Sequence, residues 1–137
     1  MDEAKIARRI ARECLGAGKD IFTVMKPLRL KKEGPTRVSI ENAKAIKNAG
    51  YEVASTVYDY DAQKMKWNLF CTFSRAGEVK RPGHTFEGLS WGYRGEGPRG
   101  LLEFGKIFGL NLDENKVLGK VDAGLPEAAT VSLEDFR

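Results

Sequence analysis

The sequence predicts an α+β fold, in which an antiparallel sheet of three to five strands is centred on a long hairpin and covered by two or three helices. Two observations predict it. Residues 51–74 alternate between apolar and polar side chains with a period of two, as half-buried strands do. Apolar residues at helical spacing occur before and after this stretch, and helices on one face of a sheet would bury the apolar side of both.

The composition indicates a single domain, residues 1–137, with a weakly patterned C-terminal tail from about residue 119. A chain of 137 residues can bury a core without metals or disulfides. No apolar run approaches the length of a membrane span and no signal-peptide pattern is seen, so we expect no membrane association and a cytoplasmic location. The two cysteines lack C-x-x-C spacing, which fits a reducing compartment.

The first part of the chain predicts two helices with a strand between them. Residues 2–15 have an apolar stripe and a basic face, and residues 21–25 form a short apolar run. A second helix is expected over residues 39–49, with Ser39 as its N-cap and Gly50 as its left-handed stop. Its apolar stripe is narrow, which indicates that the helix lies on a sheet.

The hairpin is predicted from two alternating runs around a turn at residues 59–64. The side chains expected on its buried face are Tyr51, Val53, Ser55 and Val57 in the first strand and Met65, Trp67, Leu69, Cys71 and Phe73 in the second. A third strand is expected over residues 85–89. A third helix should begin near Pro98 and end at Gly109, and residues 113–118 could add a helical turn.

Residues 91–100 form the most unusual stretch of the chain, because they combine four glycines with two aromatic residues, two arginines and a proline. We predict a sharply folded loop that runs into a helix start, with Gly95 or Gly97 at positive φ. A helix start presents free N–H groups and the positive end of the helix dipole, so it can hold an anion. The candidate ligand-binding residues are Trp91, Tyr93, Arg94, Gly95, Gly97, Arg99 and Gly100.

Two interpretations of this loop stay open. In the first, Arg94 and Arg99 pair with phosphate while Trp91 and Tyr93 stack on a base or form the wall of a pocket. In the second, the glycines only permit a tight turn and the aromatic rings fill the core beneath it. The loop is therefore a candidate site whose ligand the residues do not identify.

A second basic region lies nearer the start of the chain. Its members form a secondary basic patch: Lys26, Arg29, Lys31, Lys32 and Arg37. Glu33 is the only acid among them, and the whole chain carries a net charge of +4. This charge permits an anionic partner, although a solvated basic loop would have the same composition.

The residue types argue against several kinds of chemistry. Residues 95–100 read G-x-G-x-x-G, but no buried β-branched strand precedes them and Pro98 removes an amide that a pyrophosphate would need. His84 is the only histidine, and Cys71 lies on an apolar strand face, so neither a zinc site nor a Cys–His nucleophile is expected. We therefore expect no catalytic residues, no metal and no cofactor.

Residues 91–101 resemble the Trp-Gly-Tyr-x-Gly-x-Gly-Pro motif of a small uncharacterised domain family of bacteria and their phages, where the motif connects a strand to a helix. The matching positions are Trp91, Gly92, Tyr93, Gly95, Gly97, Pro98 and Leu101. Arg94 replaces a glycine of that motif. The resemblance implies a bacterial or phage source and supplies no activity.

Together these features favour a non-enzymatic accessory binding protein of a phage or mobile element. Its partner would be an anionic ligand, namely a nucleotide, a nucleic acid or an acidic patch on a host protein. The alternative is a structural or assembly protein, such as a virion or oligomeric component, that uses the same loop as a protein contact and forms a homo-oligomer. A small enzyme acting on a nucleotide ranks last, because no acid, base or nucleophile constellation is visible.

Overall fold

Alternating side chains build the central sheet. The computed structural model describes residues 28–119 and 131–137. Strand β1 (Glu52–Asp61) and strand β2 (Lys66–Ser74) form an antiparallel hairpin, and strand β3 (Gly83–Phe86) pairs antiparallel with β2. With strand order β1-β2-β3 and helices packed on the sheet, the predicted α+β fold is confirmed. The helix and strand predicted for residues 2–25 lie outside the described residues.

A β-bulge changes which side chains of β1 face the core. The register of β1 with β2 shifts between Val53 and Ser55, so that Tyr58, rather than Val57, lies on the face of Leu69 and is fully buried. Val57 instead pairs with Phe70 on the opposite face, where the two form a separate buried cluster. The prediction for Ser55 and Val57 was wrong, because one extra residue moves every later side chain to the other face.

The hairpin turn is shorter than predicted. The Asp61 carboxylate accepts hydrogen bonds from the backbone N–H groups of Gln63 and Lys64 (3.0 and 3.1 Å), which is typical of an aspartate at a turn. Met65 was expected on the buried face, but it adopts φ 52° at the end of the turn and its side chain is 79% exposed. Trp67 is half-buried at the margin of the core rather than inside it.

Two long helices cover one face of the sheet. Helix α1 (Thr36–Asn48) begins three residues before the predicted start, with Pro35 at its N-cap position. Helix α2 (Glu96–Phe108) begins before Pro98, which therefore lies in the first turn, where its missing N–H has no intrahelical partner to lose. The predicted stops are confirmed, since Gly50 and Gly109 have φ of 93° and 67°.

The core lies between these helices and β2. Its fully buried members include Ala43, Ile46, Leu69, Cys71, Phe73, Leu101 and Phe104. Helix α3 (Glu114–Leu118), capped by the Asp113 side chain, and the 3₁₀ helix Leu133–Phe136 add further apolar side chains to the same core. The backbone N–H of Tyr58 donates to the Val131 carbonyl (2.9 Å), so the C-terminal segment contacts the outer edge of β1.

Candidate functional site

The start of α2 has no side-chain cap. Gly95 occupies the N-cap position in an extended conformation (φ −153°, ψ −172°), and having no side chain it leaves the first N–H groups of the helix without a side-chain acceptor. The first intrahelical bond runs from the N–H of Arg99 to the Gly95 carbonyl (3.2 Å). An oxygen atom of a ligand could therefore accept from the N–H groups of the first turn.

The glycines at the helix start are needed because neighbouring side chains pack closely against them, rather than because they adopt unusual backbone angles. The prediction of positive φ at Gly95 or Gly97 was wrong, since Gly95 is extended and Gly97 is helical; within residues 91–100 it is Gly92 that has a positive φ (93°). A β-carbon on Gly95 would lie 2.5 Å from the ring of Tyr93, and one on Gly97 would collide with the Ser90 hydroxyl. Glycine thus lets the Tyr93 ring lie against the helix start.

Tyr93 is the exposed aromatic residue of the loop. Its hydroxyl lies 3.0 Å from that of Ser90, which fixes the ring, yet 53% of the residue remains exposed to solvent. Trp91 differs, because it is half-buried and its ring lies 4.5 Å from that of Tyr58 and 5.6 Å from that of Phe136, measured between centroids. Trp91 therefore packs against the core with part of its surface still accessible, whereas Tyr93 is the more exposed of the two rings.

The two arginines of the loop are exposed, and within the described part of the chain neither side chain has an ion pair or a hydrogen bond. Arg99 lines an open groove of about 530 Å³ between α1 and α2. The groove is lined by Thr36, Arg37, Ile40, Glu41, Lys44, Glu96, Arg99, Gly100 and Glu103. The fold thus brings Arg37, from the secondary basic patch, into the same groove as Arg99.

Most carboxylates of this groove are already paired. Lys31 binds Glu41 (2.6 Å) and Lys44 lies 3.8 Å from Glu103. The hydrogen bond from Lys31, helped by the charges of Lys31, Arg37 and Lys44, holds the pKa of Glu41 below its usual value. Among the described residues, this leaves Arg37, Arg99 and Glu96 without an ion pair in the groove, so two positive charges face one negative charge.

The other candidate residues fall into three groups. Gly100 is buried where α2 meets α1, and a β-carbon there would strike Thr36, so this glycine is required by helix packing. Arg29 and Lys32 are exposed on the segment that precedes α1 and do not line the groove. Lys26 lies outside the described residues.

Glu33 forms a buried network that nothing in the sequence indicates. Its side chain is only 6% exposed, and it accepts hydrogen bonds from the Ser39 hydroxyl (2.5 Å), the Asn42 amide (2.5 Å) and the backbone N–H of Glu87 (2.9 Å). His84 Nε2 lies 3.0 Å from the same carboxylate. Although burial works in the opposite direction, the hydrogen bonds from His84, Ser39, Asn42 and Glu87 lower the pKa of Glu33, which therefore stays ionised. The network fixes the segment that carries the secondary basic patch.

Three aromatic side chains form what we call the aromatic strip: Tyr60, Trp67 and Trp91. Tyr60 and Trp67 are directly opposite each other in the register of β1 and β2, with ring centroids 5.1 Å apart. Trp67 and Trp91 are also 5.1 Å apart. Tyr60 is 41% exposed and both tryptophans are half-buried. The strip continues from the core to the surface beside the loop.

Within residues 28–119 and 131–137, no group of three or more His, Cys, Asp or Glu side chains is placed to hold a metal ion. Cys71 is fully buried, and burial raises the pKa of its thiol well above the usual value, so it is not a reactive thiolate. None of the described helices is both long and apolar enough to cross a bilayer.

Comparisons of the chain with protein-family models, with curated proteins and with solved structures give no match. A function is therefore inferred from the exposed arginines and the aromatic rings near the start of α2.

Proposed function

We propose that this protein is a non-enzymatic binding module whose ligand is a phosphate-bearing anion, a nucleotide or a nucleic acid, bound at the start of α2. The observation that carries the proposal is that Arg94 and Arg99 are exposed and have no ion pair within the described residues, on either side of a helix start without a side-chain cap. A role as an accessory protein of a phage or mobile element is proposed on the resemblance of residues 91–101.

Phosphate suits these groups for two reasons. The guanidinium of arginine pairs with phosphate through two parallel hydrogen bonds, and the first N–H groups of a helix add donors and a positive dipole end. Arg37 supports Arg99 from the neighbouring helix, because both line the groove. Glu96 in the first turn opposes an anion, so replacing it with glutamine should tighten binding. The carboxylates of an acidic patch on a host protein would pair with the same arginines.

The proposal is tested by binding of a fluorescein-labelled oligothymidylate and of labelled ATP to matched variants. Arg94→Gln with Arg99→Gln removes two charges at the site. Arg81→Gln with Lys106→Gln removes two exposed charges elsewhere, Lys106 being ten residues and about 15 Å along α2 from Glu96. We expect the first pair to weaken binding about tenfold at low salt and the control pair less than about twofold, with a steep salt dependence in the parent.

Equal losses in the two double variants would mean diffuse attraction without a site. Failure of the parent protein to bind either ligand at low salt would refute the proposal. If Glu96→Gln raises the affinity of the parent protein but not that of the Arg94→Gln, Arg99→Gln variant, the ligand binds at the first turn of α2.

One observation favours a second candidate, an assembly role. The hairpin end and the loop expose large apolar side chains, of which Met65, Tyr93 and Tyr60 are 79%, 53% and 41% accessible. Exposed apolar surface of this kind is typical of protein contacts. Self-association that grows with protein concentration and is insensitive to salt would favour this role, because apolar contacts are not screened.

A further inference from the structure

The aromatic strip lies partly at the surface although it belongs to the face of the sheet that forms the core. Tyr58, two residues before Tyr60 on the same face of β1, is fully buried. Tyr60 is 41% exposed, and Met65 at the adjoining turn is 79% exposed. The strip therefore presents one exposed ring and two half-buried rings at the margin of the core, and exposed apolar surface continuous with the core is typical of a binding surface.

The strip adjoins the arginines of the loop. Trp91 forms its inner end, and Arg94 follows three residues later, so the two Cα atoms are at most about 11 Å apart. Arg94 is exposed and has no ion pair among the described residues. The partly accessible rings of the strip and an unpaired cation are therefore within the reach of one extended ligand.

The dimensions of the aromatic strip suit a strand with several bases better than a mononucleotide. Two successive centroid separations of 5.1 Å allow the strip a length of up to about 10 Å, which leaves room for more than one base to contact it. Neighbouring rings are inclined by 49° and 60°, so no ring of the strip lies flat on the next one and covers its whole face. Base-to-ring stacking tolerates any sequence because every base has a π-face.

We propose that the ligand is a single-stranded nucleic acid whose bases stack on Tyr60, Trp67 and Trp91 while its phosphates are held by Arg94 and Arg99. This inference rests on the proposed function and names its ligand class. It also assigns Tyr60 and Trp67, which lie 31 and 24 residues before Trp91 in the chain, to the same site as the loop.

The two tryptophans of the strip are the only ones in the chain, so tryptophan emission, excited selectively over tyrosine, reports on this site alone. We would titrate the full chain at low salt with an eight-residue oligothymidylate and with an abasic oligonucleotide of the same length and charge. We expect the oligothymidylate to quench the tryptophan emission and to bind about tenfold more tightly than the abasic strand.

The outcomes separate the two proposals. Equal affinity for both strands without quenching would refute stacking and leave phosphate binding at α2 intact. Failure to bind either strand would refute both. A rise in molecular mass with concentration that Tyr60→Ser reverses, without binding of oligothymidylate, would show that a second copy of the chain covers the strip and would overturn this inference.

A variant pair tests the strip directly. Tyr60→Ser removes an accessible ring, and Val79→Ser removes a 98% exposed apolar side chain from the loop between β2 and β3 as a control. We expect Tyr60→Ser to weaken binding of the oligothymidylate about fivefold or more and to leave the abasic strand unaffected. Equal weakening of both strands by Tyr60→Ser, or no weakening of either, would contradict stacking at this position. Circular dichroism of each variant confirms that the fold is retained.

Discussion

Replacing Glu33 with alanine is expected to lower the free energy of unfolding by about 3–5 kcal/mol. The magnitude follows from what the change leaves behind. Four groups lose their common acceptor: the Ser39 hydroxyl, the Asn42 amide, the Glu87 N–H and His84. Each buried donor without a partner costs about 1 kcal/mol or more, and Ser39 and Asn42 are buried too deeply to find water without rearrangement.

The assay is urea denaturation of the parent, Glu33→Ala and the near-isosteric Glu33→Gln, followed by circular dichroism. Glutamine keeps one oxygen acceptor but presents an N–H₂ group to the Asn42 amide, so we expect an intermediate loss of about 2 kcal/mol. An unchanged m-value would confirm that the variants unfold from the same compact state.

The pH dependence supplies a second measure of Glu33. Because its folded pKa is lowered below the ordinary value of 4.5, the carboxylate contributes its full stabilisation above that pH. The contribution is lost as the pH falls from 4.5 through the folded pKa. The stability gap between the parent and Glu33→Gln should therefore narrow below pH 4.5. A loss below about 1 kcal/mol for Glu33→Ala at pH 7, or a gap that widens in acid, would refute the network as a source of stability.

Two further predictions concern packing. Gly97→Ala should destabilise the fold by about 1–3 kcal/mol in thermal denaturation, because its β-carbon would collide with Ser90, and this outweighs the helix preference of alanine. The control Gly34→Ala should be nearly neutral, since the space around Gly34 is open. Trp67→Ala should lower the free energy of unfolding in urea by about 2–3 kcal/mol. This is less than for a fully buried tryptophan, because the ring is half-buried between Tyr60 and Trp91. A loss below about 1 kcal/mol would mean that these ring contacts contribute little.

The sequence allowed the sheet to be predicted because side-chain alternation is a direct consequence of strand geometry. It did not reveal the bulge in β1, because Val57 and Tyr58 are adjacent in the chain and are equally plausible core residues. The inserted residue decides which of the two faces the core, and it leaves no mark in the alternation. The start of α1 was misplaced because Ser39 looked like an N-cap. In the structure its hydroxyl binds Glu33 and accepts the N–H of Gly88 (3.0 Å), which are partners distant in sequence or outside the helix.

The candidate site was predicted only in its local part. Residues 91–99 were recognisable from composition, whereas the aromatic strip and the groove combine residues that are far apart in the chain. The Gly-rich pattern indicated unusual backbone angles at Gly95, but a close contact with Tyr93 produces the same composition. Glu33 gave no signal, because a single glutamate in a polar turn is indistinguishable from a solvated one until β3 is placed beside it.

The bonds that hold the segment before α1 have a consequence for the order of folding. Glu33 reaches Glu87 across 54 positions and Ser39 reaches Gly88 across 49. Contacts of such sequence separation close late, after the local hairpin, since the entropy of the intervening chain opposes them. Arg37 lies between these two anchored residues in the chain, so we expect its position in the groove to be fixed only after Glu87 and Gly88 have docked. A growing chain that ends before residue 88 lacks these anchors, so the groove becomes complete only together with the global fold.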